Sequence, residues 1–151
     1  MQARLNPKQL SVEGTKAMGA LHVFAHNCGL ERTLMELVKL RASQINGCAH
    51  CIDMHAKELR ADGETEQRIY LLNAWRESPM YSERERAALE WTEALTLVTK
   101  GHVSDQVYEA VRPHFSEVEL VNLTLCIIAI NGANRLNIAF RTVPGSHKPQ
   151  R

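Results

Sequence analysis

Aromatic residues are scarce, at 5% of the chain, and 18 Lys and Arg nearly balance 17 Asp and Glu, leaving a formal net charge of +1. A nucleic-acid binder needs a basic footprint and usually stacking faces, and this chain has neither. No run reaches the ~18 or more apolar residues that a bilayer crossing requires. The most apolar stretch, Leu120 to Ile130, is short and is interrupted by Asn122 and Thr124. The start, Met1-Gln2-Ala3-Arg4, lacks the apolar segment of a secretory signal. Together these absences set the expectation of a cytoplasmic protein with neither a nucleic-acid nor a membrane partner. Period-two alternation is absent too, β-branched clusters are few, and there is no repeat, low-complexity tract or linker, so a sheet is not expected.

What is present is helical spacing and helix punctuation. The 151 residues, 44% of them hydrophobic, suffice for one domain with a sizeable core. A first helix is expected from about Glu13 to Asn27, stopping at Gly29. A second runs from about Leu30 to Gln44, with Leu34, Leu37, Val38, Arg41, Ala42 and Ile45 on one face, and ends at Asn46-Gly47. A third covers Cys48 to Ala61 and a fourth Glu64 to Trp75. Ser82-Glu83-Arg84-Glu85 and Ser116-Glu117-Val118-Glu119 are S-x-x-E capping boxes that open helices to Lys100 and to about Phe140, with a shorter helix, Ser104 to Val111, between them. The expected architecture is a single all-α domain of about seven helices over residues 1–142, followed by a flexible tail at 143–151. The last long helix is apolar almost all round, so it lies either in the core or under another subunit.

The chemistry concentrates in the segment from Asn46 to His55. There are four cysteines: Cys28, Cys48, Cys51 and Cys126. Cys126 sits in an apolar run and reads as a buried small hydrophobe. In a reducing cytosol a C-x-x-C pair is a redox or metal site rather than a staple. On a helix, Cys48, Cys51 and His55 fall along one stripe, with Cys51 and His55 one turn apart. The Gly47 break places Cys48 in the first helical turn, where the helix dipole and free N–H groups favour a thiolate. A peroxide is attacked by thiolate, and the resulting sulfenic acid condenses with a neighbouring thiol. The residue pattern favours a redox pair, with two alternatives behind it: half of a zinc site, for which His22, His26 and Cys28 are a loose source of further ligands, or an inert pair. Asp53 and Lys57 read as solvated helix-face charges, and His22, His26, His102, His114 and His147 as packing residues. By periodicity alone Glu36 shares a polar arc with Lys39 and Ser43, the signature of a surface carboxylate.

The stretch from Glu36 to His55, E-x11-C-x-H-C-x-x-x-H, resembles the active-site pattern of the AhpD-like alkylhydroperoxidases of the carboxymuconolactone decarboxylase superfamily. The similarity extends over roughly Leu30 to Arg141, including the helix start Tyr81 to Leu89 and the late segment Ile130 to Asn137. The resemblance implies an all-helical peroxidase acting on hydrogen peroxide or organic hydroperoxides. Cys51 is then the sulfur that meets peroxide, Cys48 its disulfide partner, Glu36 and His55 a proton relay, and His50 an accessory to it. It further implies a dithiol reductant of the dihydrolipoyl or thioredoxin type, no cofactor or resident metal, and a homo-oligomer, trimeric or hexameric. Two other functions compete: lactone decarboxylation, which does not depend on a C-x-x-C pair, and a non-enzymatic redox-sensing oligomer.

Overall fold

The computed structural model describes residues 2–149. Among them there are nine α-helices, two short 3-10 turns and no strand. The long elements are α2 (Val12–His26), α3 (Arg32–Asn46), α4 (Ala49–Ala61), α6 (Glu83–Thr96) and α9 (Glu117–Phe140). Shorter ones are α1 (Pro7–Leu10), α5 (Glu66–Leu71), α7 (Val98–Gly101) and α8 (Asp105–Val111). Of the two helices beyond the expected count, α1 is a single turn of four residues, too short to leave a periodic signal, and α7 is the end of the helix expected to run unbroken to Lys100, split off at Leu97. Both capping boxes form as read. The Ser82 and Ser116 hydroxyls accept from the Glu85 and Glu119 backbone N–H groups, and each glutamate carboxylate returns a bond to its cap residue's N–H.

Helix α3 is the centre of the domain, packed by α4, α6 and α9, while α2 lies along α9 and α8 against α6. That position explains the main error of the periodicity reading. A helix with neighbours on several sides buries most of its circumference, and Leu34 through Leu40 are all buried, as are Ala42 and Ser43. Glu36, Lys39 and Ser43 therefore face protein rather than solvent. One apolar cluster joins α3 to α6 and α9 through Val38, Trp91, Leu123 and Ile127. A second joins α3 to α4, α5 and α6 through Leu37, Leu40, Leu59 and Leu89.

Helix α9 is both core and surface. Leu120, Leu123, Cys126, Ile127 and Ile130 are buried on its inner face, while Val121, Ile128 and Ile138 are exposed. At 24 residues, with a mean hydropathy of 1.3 over its most apolar window, it is long and apolar enough to cross a membrane by length and composition. A count of uninterrupted apolar residues misses this, because Asn122 and Thr124 break the run without lowering the average much. Four other helices nonetheless pack against α9, which is the behaviour of a core helix. Its end is held by the N-terminal segment: the Arg4 backbone N–H donates to the Phe140 carbonyl (3.0 Å) and its guanidinium to the Ala139 carbonyl (3.1 Å). Where α2 passes α9, a Cβ at Gly132 would come within 2.6 Å of the Met18 methyl, so the glycine makes room for that side chain.

Residues 143–149, expected as a flexible tail, run along α4. Asp53 Oδ2 accepts from the Gly145 backbone N–H (3.0 Å) and from Lys57 (2.8 Å), and Lys57 also donates to the Gly145 carbonyl (3.2 Å). His147 pairs with Glu58. Asp53 and Lys57 are thus anchors for this segment rather than free surface charges.

Candidate active site

The α3–α4 junction is built by one glycine and one cysteine. Gly47 adopts φ +70°, the left-handed conformation that ends a helix. The Cys48 N–H then donates to the Ser43 carbonyl (3.0 Å), closing α3, while its own carbonyl accepts from Ile52 (2.9 Å), starting α4. Cys48 is therefore the N-cap of α4 and not part of its first turn. Cys51, three residues on, occupies that turn, so the favourable end of the helix dipole acts on Cys51 as well. The two sulfurs are joined as a disulfide, with a Cα separation of 5.4 Å, inside the usual range of about 4.4–6.8 Å. Both cysteines are buried and form a small cluster with Ala42 and Ile130, between α3, α4 and α9.

One turn beyond Cys51 lies His55, almost wholly buried. Its Nδ1–H donates to Glu36 Oε2 at 2.7 Å, and the other carboxylate oxygen, Oε1, accepts from Lys39 Nζ at 2.7 Å. Burial pushes the Glu36 carboxyl up, but the hydrogen bonds and charges of His55 and Lys39 outweigh it and bring it down to about 2. Glu36 is thus ionised at any ordinary pH and can only accept, which places a hydrogen on His55 Nδ1. His55 Nε2 is left buried without a hydrogen-bond partner among the described residues. Buried polar atoms are normally paired, and an orphan of this kind marks a site for water, ligand or a catalytic role.

The structure brings Glu36, Cys48, Cys51 and His55 into one region. His50, in the first turn of α4 between the two cysteines, is part-exposed, with Nδ1 3.3 Å from the Val143 carbonyl. Among the described residues no hydrogen bond joins it to Glu36, His55 or either cysteine. No group of three His, Cys, Asp or Glu among the described residues is spaced to hold a metal ion, so His22, His26 and Cys28 do not supply the further ligands a structural zinc at Cys48 and Cys51 would need.

Residues that sequence reasoning passed over surround this core. Lys39 was read as surface, yet it neutralises Glu36. Asn134, fully buried on α9, donates to the Ser43 hydroxyl (3.0 Å) and accepts from Asn46 (2.8 Å), tying the end of α3 to α9 just before the cysteine turn. Asn137 donates its side-chain amide to the Cys51 sulfur at 3.4 Å. Both asparagines lie in the late segment whose similarity was noted, but nothing local to that segment assigns them a contact.

Two cavities flank the site. One, about 620 Å³, is mostly apolar, walled by Leu5, Pro7, Met18 and Leu136, with Asn137 on its lining. The other, about 580 Å³, is lined by the charged and polar residues Glu36, Lys39 and His55 together with Arg32, Glu58 and His147. His22 and Ala133 form part of both walls. Burial, and the nearby Lys39 and His55, hold the His22 imidazole below its ordinary range.

A single all-helical domain that carries a C-x-x-C disulfide at a helix start, beside a buried glutamate–histidine pair, is a dithiol protein of the AhpD-like class. The chain belongs to the carboxymuconolactone decarboxylase family, whose pattern matches residues 13–94, from α2 into α6. It is 45% identical over 139 residues to the uncharacterized protein YdfG of Bacillus subtilis, covering 92% of this chain and 95% of that one. A solved structure from Agrobacterium tumefaciens, described as a protein of unknown function and a candidate antioxidant defence protein AhpD, superposes with a TM-score of 0.93. The identity is 45%, over 97% of this chain and all of that one. The debrominase Bmp8, solved with 2,3,4-tribromopyrrole, shares the fold at a TM-score of 0.81 and 18% identity, over 90% of this chain and 73% of its own. At that identity the likeness is one of fold alone.

Proposed function

We propose that the protein is a thiol peroxidase that reduces hydrogen peroxide or organic hydroperoxides through a Cys48/Cys51 dithiol–disulfide cycle. The observation that carries this reading is the Glu36–His55 pair, with its unpartnered Nε2, one helical turn from a cysteine already joined to its neighbour. The likeness to a structure described as an AhpD candidate supports it.

In the first step the Cys51 thiolate attacks one peroxide oxygen. The O–O bond breaks, the sulfur becomes sulfenic acid, and the leaving oxygen takes a proton to depart as water or alcohol. His55, held on Nδ1 by Glu36, delivers that proton from Nε2, directly or through water, as a general acid. Because Glu36 stays ionised, its part is to orient and charge the imidazole rather than to give up a proton. Lys39 balances the carboxylate. In the second step the Cys48 thiol displaces hydroxide from the Cys51 sulfenic acid, the hydroxide is protonated to water, and the S–S bond forms. A dithiol reductant of the dihydrolipoyl or thioredoxin type returns two electrons and two protons. His50, facing the Val143 carbonyl, acts as an accessory group at the rim.

Stopped-flow mixing of the reduced protein with peroxide, with free thiols counted before and after, tests the reading. The expected result is loss of two thiols per peroxide consumed, with turnover once a dithiol is supplied. Retention of both thiols would sink it, and turnover of a lactone carboxylate instead would favour decarboxylation.

A further inference from the structure

Cys51 presents a physical difficulty. It is fully buried, and burial disfavours a thiolate. Cys126, equally buried on α9, illustrates that effect: burial, ahead of Lys39, Glu36 and Cys28, pushes its thiol up to about 12. A reactive Cys51 therefore needs donors that compensate for the missing water. The start of α4 and the His55 imidazole lie on its own helix. A third group comes from elsewhere in the chain.

Asn137 lies in the last turn of α9, 86 positions from Cys51, and its Nδ2 donates to the Cys51 sulfur at 3.4 Å. The turn that carries it is held in place, since the carbonyl of Asn137 accepts from Thr142 and Arg4 donates to the carbonyls of Ala139 and Phe140. The same side chain lines the mostly apolar cavity walled by Leu5, Met18 and Leu136, and among the described residues it is the polar group of that lining that reaches the Cys51 sulfur. A neutral disulfide sulfur is a weak acceptor and a thiolate a strong one, so this contact gains most when Cys51 is charged. We propose that Asn137 is a catalytic residue of this site: its side-chain amide donates to the Cys51 thiolate and stabilises it from α9. This rests on Cys51 being the reactive sulfur. It is the same kind of arrangement as a preorganised oxyanion donor, applied to the nucleophile.

The test uses the reduced full-length protein in a Cys48→Ser background, comparing Asn137 with Asn137→Leu and Asn137→Asp. Thiolate formation is followed by absorbance at about 240 nm, the Cys51 share being the part lost on Cys51→Ser, and Cys51 alkylation by iodoacetamide is located by mass spectrometry. The other titratable groups packed around this region are untouched: His50 and His55 on α4, Glu36 and Lys39 on α3, His22 on α2, Lys8 on α1 and Cys126 on α9. Asn137→Leu is expected to raise the titration midpoint by about one unit and to slow alkylation near neutral pH roughly tenfold, with a larger effect for Asn137→Asp, whose carboxylate repels the thiolate. Midpoints within about 0.3 unit of the parent in both variants would overturn the proposal, as would slower alkylation with an unmoved midpoint. Neither readout needs peroxide turnover, so a protein that ignores peroxide would fail the proposed function while leaving this inference to stand or fall by itself.

Discussion

Glu36 and His55, 19 positions apart in the chain, meet across the α3–α4 contact at 2.7 Å, and neither is appreciably exposed. The carboxylate accepts from His55 Nδ1 and from Lys39, leaving His55 Nε2 as the buried ring nitrogen without a partner among the described residues. Two substitutions probe this. His55→Ala removes the acid and is expected to slow the peroxide step by about 10²–10⁴-fold, the usual scale of general acid–base catalysis. Glu36→Gln keeps the shape but loses the charge, and is expected to cost part of that factor. Rapid mixing with peroxide measures both, with a thiol count showing that the cysteines remain available. Parent-like rates in both variants would remove the pair from the mechanism.

The same pair sets an acid limit to stability. The Glu36 carboxyl is held at about 2 in the fold, against 4.5 for the free group. A carboxyl lowered by folding adds stability above its unfolded pKa, and that stability is lost as pH falls through the folded one. The loss should therefore fall between pH 4.5 and about 2, and should reach the order of 3 kcal/mol once complete. Chemical denaturation across this range should show the slope, and Glu36→Gln should be less stable near neutrality but flatter in acid. Equal slopes in the two proteins would show that Glu36 is not the group responsible.

The two cysteines should separate by role. Cys51→Ser is expected to abolish sulfenic acid formation. Cys48→Ser should leave a sulfenic acid on Cys51 that a dimedone-type reagent traps, while turnover stops because no partner remains to close the disulfide. Mass spectrometry of the trapped protein reads the site. A sulfenic acid on Cys48 in the Cys51→Ser variant would reverse the assignment.

Val121 and Ile128 lie seven residues apart on the outer face of α9 and are both exposed, so they form one apolar stripe. Such a face is expected to be covered by further copies of the chain, as a trimer or hexamer. Light scattering at micromolar concentration should give a multiple of the single-chain mass, and Val121→Glu with Ile128→Glu should reduce it. A parent protein of single-chain mass would count against assembly through this face.

Much of the fold was legible because its causes are local. Capping boxes at Ser82 and Ser116, the glycine stop at Gly47, and the spacing of Cys48, Cys51 and His55 depend on residues within about two helical turns of one another. Those relations survive whatever the rest of the chain does, and they sufficed to mark the helices and the dithiol. The resemblance to a known motif singled out Glu36, against its own periodicity.

What the chain could not reveal by itself was which polar residues end up inside. Glu36, Lys39 and Ser43 make an ordinary hydrophilic arc until α4, α6 and α9 close around α3, and then they become a buried charged pair and a structural hydroxyl. Asn137 is one asparagine near the end of an apolar helix until α9 crosses α4 and sets its amide against Cys51. Spacing along a helix says which side chains share a face. It does not say what that face meets, and in a dry interior the partner across the contact decides whether a carboxyl is ionised or a thiol becomes reactive.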